Sequence, residues 1–391
     1  MNSINVGIIG IGNMGSAHAF CIARGEVEGM KLVAVCDICE SKCSGIKAQY
    51  PNISAYSDYK EMLKNPEMDA VIIAVPHPLH ADIAIDALKA NKHILVEKPI
   101  DIAVSKASAL NEFAKTSGKV FAIMFNQRTN ELFKKARDIV KSGELGELQR
   151  TVWIVTNWYR TQGYYDSGDW RATWKGEGGG VLLNQAPHQL DLWQWICGMP
   201  QSVTAFCDVA HYHNIEVEDN ATIFTRYKNG ATGTFITTTG EFPGTNRLEI
   251  SGTMGKIVIE DDTLKWWKLK ISSKEFSQNP SEEYNEIPTE YIEFKPEKKE
   301  TAHRGILQNF TNAILKGEEL ISPGYDGINE LTLSNAAYLS CWQGNKEIAL
   351  PFETEEFDKL LSERMKTSKY TEKITSSKTV TEYEPRWQVK W

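Results

Sequence analysis

The sequence predicts an α/β fold in two parts. The first is an N-terminal Rossmann domain with a doubly wound parallel sheet, and the second is a C-terminal α/β domain with a largely antiparallel open sheet. Three observations carry this expectation. The first 125 residues alternate short apolar runs with helix-compatible segments, as β-α units on a parallel sheet do. A glycine-punctuated turn follows the first apolar run directly. Beyond about residue 146, extended segments succeed one another without intervening helices, which favours antiparallel pairing. At 391 residues the chain can build two cores, and the division is placed at 1–126 and 127–391.

The elements follow in order. Residues 4–10, 31–37, 70–75, 93–97 and 120–125 are strand candidates, and 70–75 is apolar throughout, as in a strand buried on both faces. Helices are predicted over 15–24, 81–90 and 130–142, the last ended by Gly143 and Gly146. Residues 148–158, 203–209, 221–227, 230–239 and 248–251 are extended and rich in Thr and aromatics. Turn signals at Lys228-Asn229-Gly230 and Thr253-Met254-Gly255 separate some of them. Further helices are predicted over 181–197, 304–315 and 328–342, with 270–300 as a polar, exposed excursion. Residues 366–384 are rich in Ser, Thr and Lys, and the closing 385–391 is expected to dock through Trp387 and Trp391. No internal repeat is evident.

Composition excludes several classes. Acidic residues outnumber basic ones, 51 to 43, so the net charge is -8 and a nucleic-acid partner is not expected. No apolar run reaches the roughly 20 residues of a membrane span, and residues 1–7 show no basic leader, so no membrane partner and no export are expected. Seven cysteines, an odd number, do not suggest a disulfide framework and point to a reducing cytoplasm. Cys36, Cys39 and Cys43 lie close together but lack a fourth ligand and a paired motif, so no metal is assigned.

Gly10-Ile11-Gly12-Asn13-Met14-Gly15 is a dinucleotide fingerprint in the right place, between a strand and a helix. Gly10 permits the turn, Gly12 lets a pyrophosphate approach the backbone, and Gly15 allows close helix-strand packing. The helix N-terminus then faces the phosphates. Asp37 ends the second strand, 22 residues after Gly15, where a carboxylate accepts from ribose hydroxyls and repels a 2′-phosphate. No arginine follows it, so NAD is expected rather than NADP. The structural alternative is a turn in a sheet that binds no nucleotide.

Three segments carry a resemblance. They are Ile73-Ala74-Val75-Pro76 with His80, the run Val96-Glu97-Lys98-Pro99, and Gly178 to Asp191 reading GGGVLLNQAPHQLD. Together with the fingerprint they resemble the Gfo/Idh/MocA oxidoreductases, over nearly the whole chain up to about Lys366. Trp158-Tyr159-Arg160 and the form of the second signature further resemble the levoglucosan dehydrogenase-like branch. The resemblance implies hydride transfer between NAD and a carbon of a polyhydroxylated substrate, and a second domain whose open sheet makes a homodimer or homotetramer. It maps catalytic roles onto Lys98, His188 and Asn184. It also adds Pro76, His80, Glu97, Lys98 and Asn126 to the cofactor contacts.

The chemistry of these residues agrees. Lys98 follows a buried strand, so its ammonium would stand at the carboxyl end of the sheet and stabilise a developing alkoxide. A proline follows it, which permits a cis bond. His188, with an ordinary pKa of about 6.5, is the natural general base. Asn184, His188, Asp191 and Trp195 share one helical face by spacing, on a helix that starts near Asn184 or is kinked at Pro187. The alternative is a capping Asn and a core His. The family usually has Asp where this chain has Asn184, and an amide cannot ionise, so Asn184 is read as an orienting residue, with Asp191 as an acid that could compensate.

Substrate contacts are expected from Lys98, Arg128, Trp158, Tyr159, Arg160, Tyr164, Trp170, Arg171, Asn184 and His188, alongside the aromatics Tyr165 and Trp174. Aromatic faces with Arg and Tyr donors suit a small carbohydrate, although a packing cluster would use the same residues and Arg128 would equally serve as an ion pair. The leading function is NAD-dependent oxidation of a secondary hydroxyl on a sugar, anhydrosugar or polyol. The alternatives are a redox-neutral lyase, epimerase or glycosidase with tightly held, recycled NAD, and a non-enzymatic NAD-binding sensor.

Overall fold

The computed structural model describes residues 2–279, 286–297 and 301–369. The tail 385–391, with its expected docking tryptophans, lies outside the described residues. The first sheet holds β1 (Ile4–Ile9), β2 (Met30–Cys36), β3 (Ser54–Tyr56), β4 (Ala70–Ile73), β5 (His93–Val96) and β6 (Phe121–Ile123). It is parallel throughout, in the order β3-β2-β1-β4-β5-β6. Every residue of β4 is buried, as its unbroken apolar sequence requires. The strand order reverses between β1 and β4, and ligands of such sheets bind beyond the carboxyl ends at that reversal.

The second sheet holds β7 (Leu148–Val155), β8 (Ser202–Val209), β9 (Glu218–Arg226), β10 (Thr232–Thr238), β11 (Asn246–Gly252), β12 (Gly255–Glu260), β13 (Thr263–Leu269), β14 (Thr289–Phe294) and β15 (Ile348–Ala349). Its order is β14-β13-β12-β11-β7-β10-β9-β8-β15. All pairs are antiparallel except β7 with β10. The stretch expected to be a polar excursion carries β14, a largely exposed edge strand.

The helix expected over 181–197 is broken. Val181–Asn184 forms one short helix and Pro187–Cys197 the next, with Pro187 in the first turn, where its missing N–H leaves no helical hydrogen bond unmade. The helix Ala302–Lys316 returns to the first sheet. Its Ile306, Leu307 and Phe310 join a core with Ile4, Val6, Ile8 and Phe20, and Gln308 exchanges hydrogen bonds of 2.8 and 3.0 Å with the backbone of Glu28. Among the described residues no helix is long and apolar enough to cross a membrane. None of the seven cysteines forms a disulfide.

Candidate active site

The loops leaving β1, β2, β4, β5 and β6 converge at one end of the first sheet. Gly10 takes φ +92°, and a Cβ there would stand 2.4 Å from the Ala74 carbonyl oxygen. A Cβ on Gly15 would meet the Gly10 carbonyl, so the helix Asn13–Ala23 can start against the strand only without one. Gly12 opens onto empty space and caps that helix with no side-chain acceptor, which leaves first-turn N–H groups for an anion. Asn13 and Met14 are half-buried in the same turn. Asp37, nearly buried, accepts from Ile11 N and Cys39 N at 2.8 Å each, and so ties the turn to the end of β2. Lys42 Nζ stands 3.5 Å from it. Pro76 is exposed at the mouth, and the buried Asn126 holds an Oδ1 with no hydrogen-bond partner among the described residues. Glycine cradle, acid and orphaned amide all fit a dinucleotide.

Two of the expected cofactor residues have other employment. His80 is fully buried, with Nδ1 2.7 Å from the Pro99 carbonyl and Nε2 2.8 Å from the Val75 carbonyl. It clamps the loops after β4 and β5 together and offers no ring nitrogen to a cofactor, which corrects that expectation. Glu97 Oε1 lies 2.8 Å from His18 Nε2, and Oε2 accepts from the Lys98 N–H. Burial would raise this carboxyl, but the His18 hydrogen bond, with His303 and Lys98 nearby, carries it down to about 2.

Lys98 and the second signature meet. The Lys98-Pro99 bond is cis, and Lys98 Nζ donates to the Asn184 backbone carbonyl at 2.7 Å. Burial pushes the Lys98 ammonium below its ordinary pKa, against Glu97, Glu330 and Glu177, which pull it up. His188 packs edge-on to Phe125 at 6.5 Å, and its buried Nδ1 has no hydrogen-bond partner among the described residues. Burial first, then the charges of Lys98 and His303, lowers its pKa well below 6.5, so the ring is neutral and ready to accept a proton. That departs from the ordinary value expected of it.

The shared face divides at Pro187. Before it, the Asn184 carbonyl accepts from Lys98 and its side chain meets Glu177; beyond it, His188 packs on Phe125 while Asp191 and Trp195 turn to Arg128. Arg128 is 1% exposed; Nε and Nη2 reach Asp191 at 2.8 and 2.7 Å, and Nη1 reaches Asp326 at 2.6 Å and the Ile321 carbonyl. It is an ion-pairing residue between elements and not a substrate contact, and Asp191, spent on it, does not compensate for Asn184. Tyr159 is 45% exposed and packs edge-on against Phe242.

The remaining aromatic and basic residues form a wall. Tyr164 carries the Arg160 and Arg171 guanidinium groups over its ring at 5.0 and 4.6 Å, and its hydroxyl accepts from Arg171 at 2.9 Å and Gln185 at 3.3 Å. Trp170 sits under Arg171 and edge-on to His77. Trp158 is buried with its Nε1 unpartnered, as is the Nε of Arg160 above it. Tyr165 turns to Thr239 and Trp174 to Tyr338, so both pack structurally.

Three residues at the site escaped the sequence reading. Glu177 is buried and accepts from the side chain of Asn184. His77 reaches the Glu177 carbonyl at 3.1 Å. Glu330 is buried on the helix Gly327–Trp342, and neither of its oxygens has a hydrogen-bond partner among the described residues. For Glu177 the available signal was an acid directly before a glycine triplet; for the others there was none. Among the described residues no cluster of three His, Cys, Asp or Glu could hold a metal.

Comparison with known proteins gives the same two-domain fold. A family model described as an oxidoreductase family with an NAD-binding Rossmann fold matches residues 4–125, and a GFO/IDH/MocA C-terminal domain model matches 133–258. Myo-inositol 2-dehydrogenase of Thermotoga maritima is 24% identical over 340 residues, covering 85% of this chain and 95% of the relative. The WlbA dehydrogenase of Bordetella pertussis, solved with NADH and UDP-GlcNAcA, superposes with a TM-score of 0.75 at 24% identity, over 90% of this chain and 100% of its own. Levoglucosan dehydrogenase with NADH and levoglucosan gives 0.74 at 21%, over 89% and 100%. At such identities the two structures speak for the fold.

Proposed function

The chain belongs to the GFO/IDH/MocA oxidoreductase family, and from that premise we propose that it is an NAD-dependent dehydrogenase oxidising a secondary hydroxyl of a sugar, anhydrosugar or polyol. The observation that carries the reading is the 2.7 Å contact between Lys98 Nζ and the Asn184 carbonyl. It joins the loop after β5 to the end of the short helix Val181–Asn184, directly before the helix that bears His188. The orphaned nitrogens of Trp158, Arg160 and His188 beside the Tyr164–Arg171–Trp170 wall support a hydroxyl-rich ligand. All three relatives described above are named as dehydrogenases, and nothing among them supports the redox-neutral alternative.

Gly10, Gly12, Asn13, Met14, Gly15 and Asp37 would hold the dinucleotide, with Pro76, Lys98 and Asn126 at its nicotinamide end and Glu97 fixing the Lys98 backbone. NAD, when bound, accepts hydride from the substrate carbon. The chain does the rest. Lys98 keeps one N–H on the Asn184 carbonyl and offers its others to the reacting oxygen, where a fixed cation stabilises developing negative charge. Neutral His188 takes the hydroxyl proton. Asn184 orients the hydroxyl. The proposal places the domain division near residue 126 and the enzyme in a reducing cytoplasm, as a homodimer or homotetramer assembled through the open face of the second sheet. The test is a panel of sugars, anhydrosugars and inositols scanned for NADH appearance, with NADP in parallel. A substrate that drives NADH formation supports the proposal, and a panel without one overturns it.

A further inference from the structure

The proton acceptor, the cation and the orienting amide leave two carboxyl groups at the site without a part, Glu177 and Glu330, and of these Glu177 has hydrogen-bond donors. Glu177 is 1% exposed, yet it is not spent on a structural ion pair. Its Oε1 accepts from Asn184 Nδ2, its Oε2 from the Ala172 N–H at 2.5 Å, and its own carbonyl faces His77 Nδ1 at 3.1 Å. The glycines that follow it explain how it is held. A Cβ on Gly180 would overlap the Glu218 carbonyl, so the chain can press its signature segment against β9 only there, and Glu218 then caps the next turn through the N–H groups of Gly180 and Leu182 at 2.9 Å.

We propose that Glu177 is a positioning residue that returns to the site the negative charge Asn184 lacks: it fixes the Asn184 amide with Oδ1 toward the substrate hydroxyl, and it holds the Lys98 ammonium charged. This deepens the dehydrogenase reading and rests on it. A carboxylate only accepts hydrogen bonds, so the Asn184 NH2 must face Glu177. The Asn184 oxygen, which receives no protein donor among the described residues, is left to accept from a substrate hydroxyl. A free Asn could rotate its amide and present either end. The pair therefore reproduces what one aspartate would supply, with the acceptor on one residue and the charge on the other.

Glu97, Glu330 and Glu177 all favour the Lys98 cation, Glu97 most, and Glu177 is the one of the three that also holds the Asn184 amide. Lys98 faces the acids Glu97, Glu177 and Glu330, the like charge of Arg171, and the histidines His77, His188 and His303. Glu97, ionised and bound to His18, is the strongest of these acids on Lys98 but makes no hydrogen bond to Asn184. Glu330 has no hydrogen-bond donor, and its burial pushes the carboxyl well up, toward the neutral acid. Glu177 is also raised by burial, but Arg171, the Ala172 N–H, the Asn184 amide and Lys98 all favour its anion.

The test exchanges the two residues, following kcat against pH on the substrate found in the panel. Glu177→Gln should lower kcat at least tenfold and move the basic limb of the profile to lower pH, because Lys98 then loses its proton sooner. Asn184→Asp sets two carboxylates against each other and should also lose at least tenfold. The double variant Glu177→Gln/Asn184→Asp again holds one acid and one amide, and should recover at least tenfold over either single variant, with the wild-type basic limb. Wild-type kcat and an unmoved limb in Glu177→Gln would overturn the proposal, as would a double variant no better than the poorer single one. NADH binding reports that each variant is folded; should Glu177→Gln fail to bind it, the exchange variant alone decides by the same criterion. Acetylation of Lys98 by acetic anhydride, followed by mass spectrometry across pH without substrate, separates this proposal from the functional one. Its apparent pKa should fall in the charge-losing single variant and return in the exchange, and a pKa that does not move overturns the role of Glu177 even if no substrate is found.

Discussion

Lys98 Nζ donates to the backbone carbonyl of Asn184 at 2.7 Å, a contact between residues 86 apart in sequence that closes the first sheet onto the signature helix. The cation is thereby aimed before any substrate arrives. Preorganisation of this kind matters most where charge develops during reaction, because no reorientation is then needed.

Removal of the cation comes first among the expected outcomes. Lys98→Met should lower kcat by more than tenfold, since a fixed donor to a developing alkoxide contributes upwards of about 1.4 kcal/mol. NADH binding in the same variant should stay within a few-fold of wild type. Initial rates of NADH formation check it, and undiminished turnover would take Lys98 out of the mechanism.

The pH profile tests His188. Its pKa is lowered well below 6.5 by burial and by the neighbouring Lys98 and His303. A base must be unprotonated to act, so activity is lost as pH falls through that pKa. A depressed value moves the loss downward, and kcat/KM should remain on its plateau through pH 6.5 and decline only in more acidic solution. A half-maximal point at or above pH 6.5 would contradict the burial of the ring.

Cofactor choice turns on Asp37. Its carboxylate accepts two backbone N–H groups and stands 3.5 Å from Lys42. Asp37→Ser should weaken NADH binding by roughly ten- to a hundredfold, in line with the ~1.5–3 kcal/mol of a hydrogen bond to a charged group. It should also narrow the preference over NADPH, because the repulsion is gone and Lys42 is released. Fluorescence titration with both reduced cofactors measures this, and an unchanged preference would assign the discrimination elsewhere.

Arg128 should behave as part of the framework. Arg128→Met strands Asp191 as a buried, uncompensated charge, which costs on the order of 3–5 kcal/mol. A lower Tm with KM nearly unchanged is the expected pattern. Adding Asp191→Leu should restore much of the stability, because replacing both partners of a buried pair leaves no orphan. A large rise in KM without loss of stability would return Arg128 to the substrate.

The residues that were legible in the sequence are those whose role is local. Gly10 and Gly15 are dictated by a turn and a close approach within six residues, and Asp37 by the end of one strand. Pro187 announced the break between the two signature helices. Lys98 and His188 were named from motifs, and the Lys98 charge is among the influences that lower the His188 pKa. What sequence spacing does not encode is partner choice across the chain. Arg128 joins Asp191 and Asp326, 63 and 198 positions away, and His80 turns inward to two carbonyls. Spacing placed Asn184 and Asp191 on one face, but the break at Pro187 sent them to different neighbours. β3, β12, β13, β14 and β15 were not among the expected strands: β3 and β15 are three and two residues long, and β14 is largely exposed. The turn joining β12 to β13 uses Asp261 and Asp262, both at positive φ, without a glycine to mark it.

A ternary crystal structure with NADH and the polyol that the panel identifies bears most directly on the whole account. It should place Lys98 Nζ and a ring nitrogen of His188 within about 2.6–3.2 Å of one and the same substrate oxygen, with the carbon bearing that oxygen facing the nicotinamide. A complex in which either side chain points away from that oxygen, or in which the two contact different hydroxyls, would contradict it.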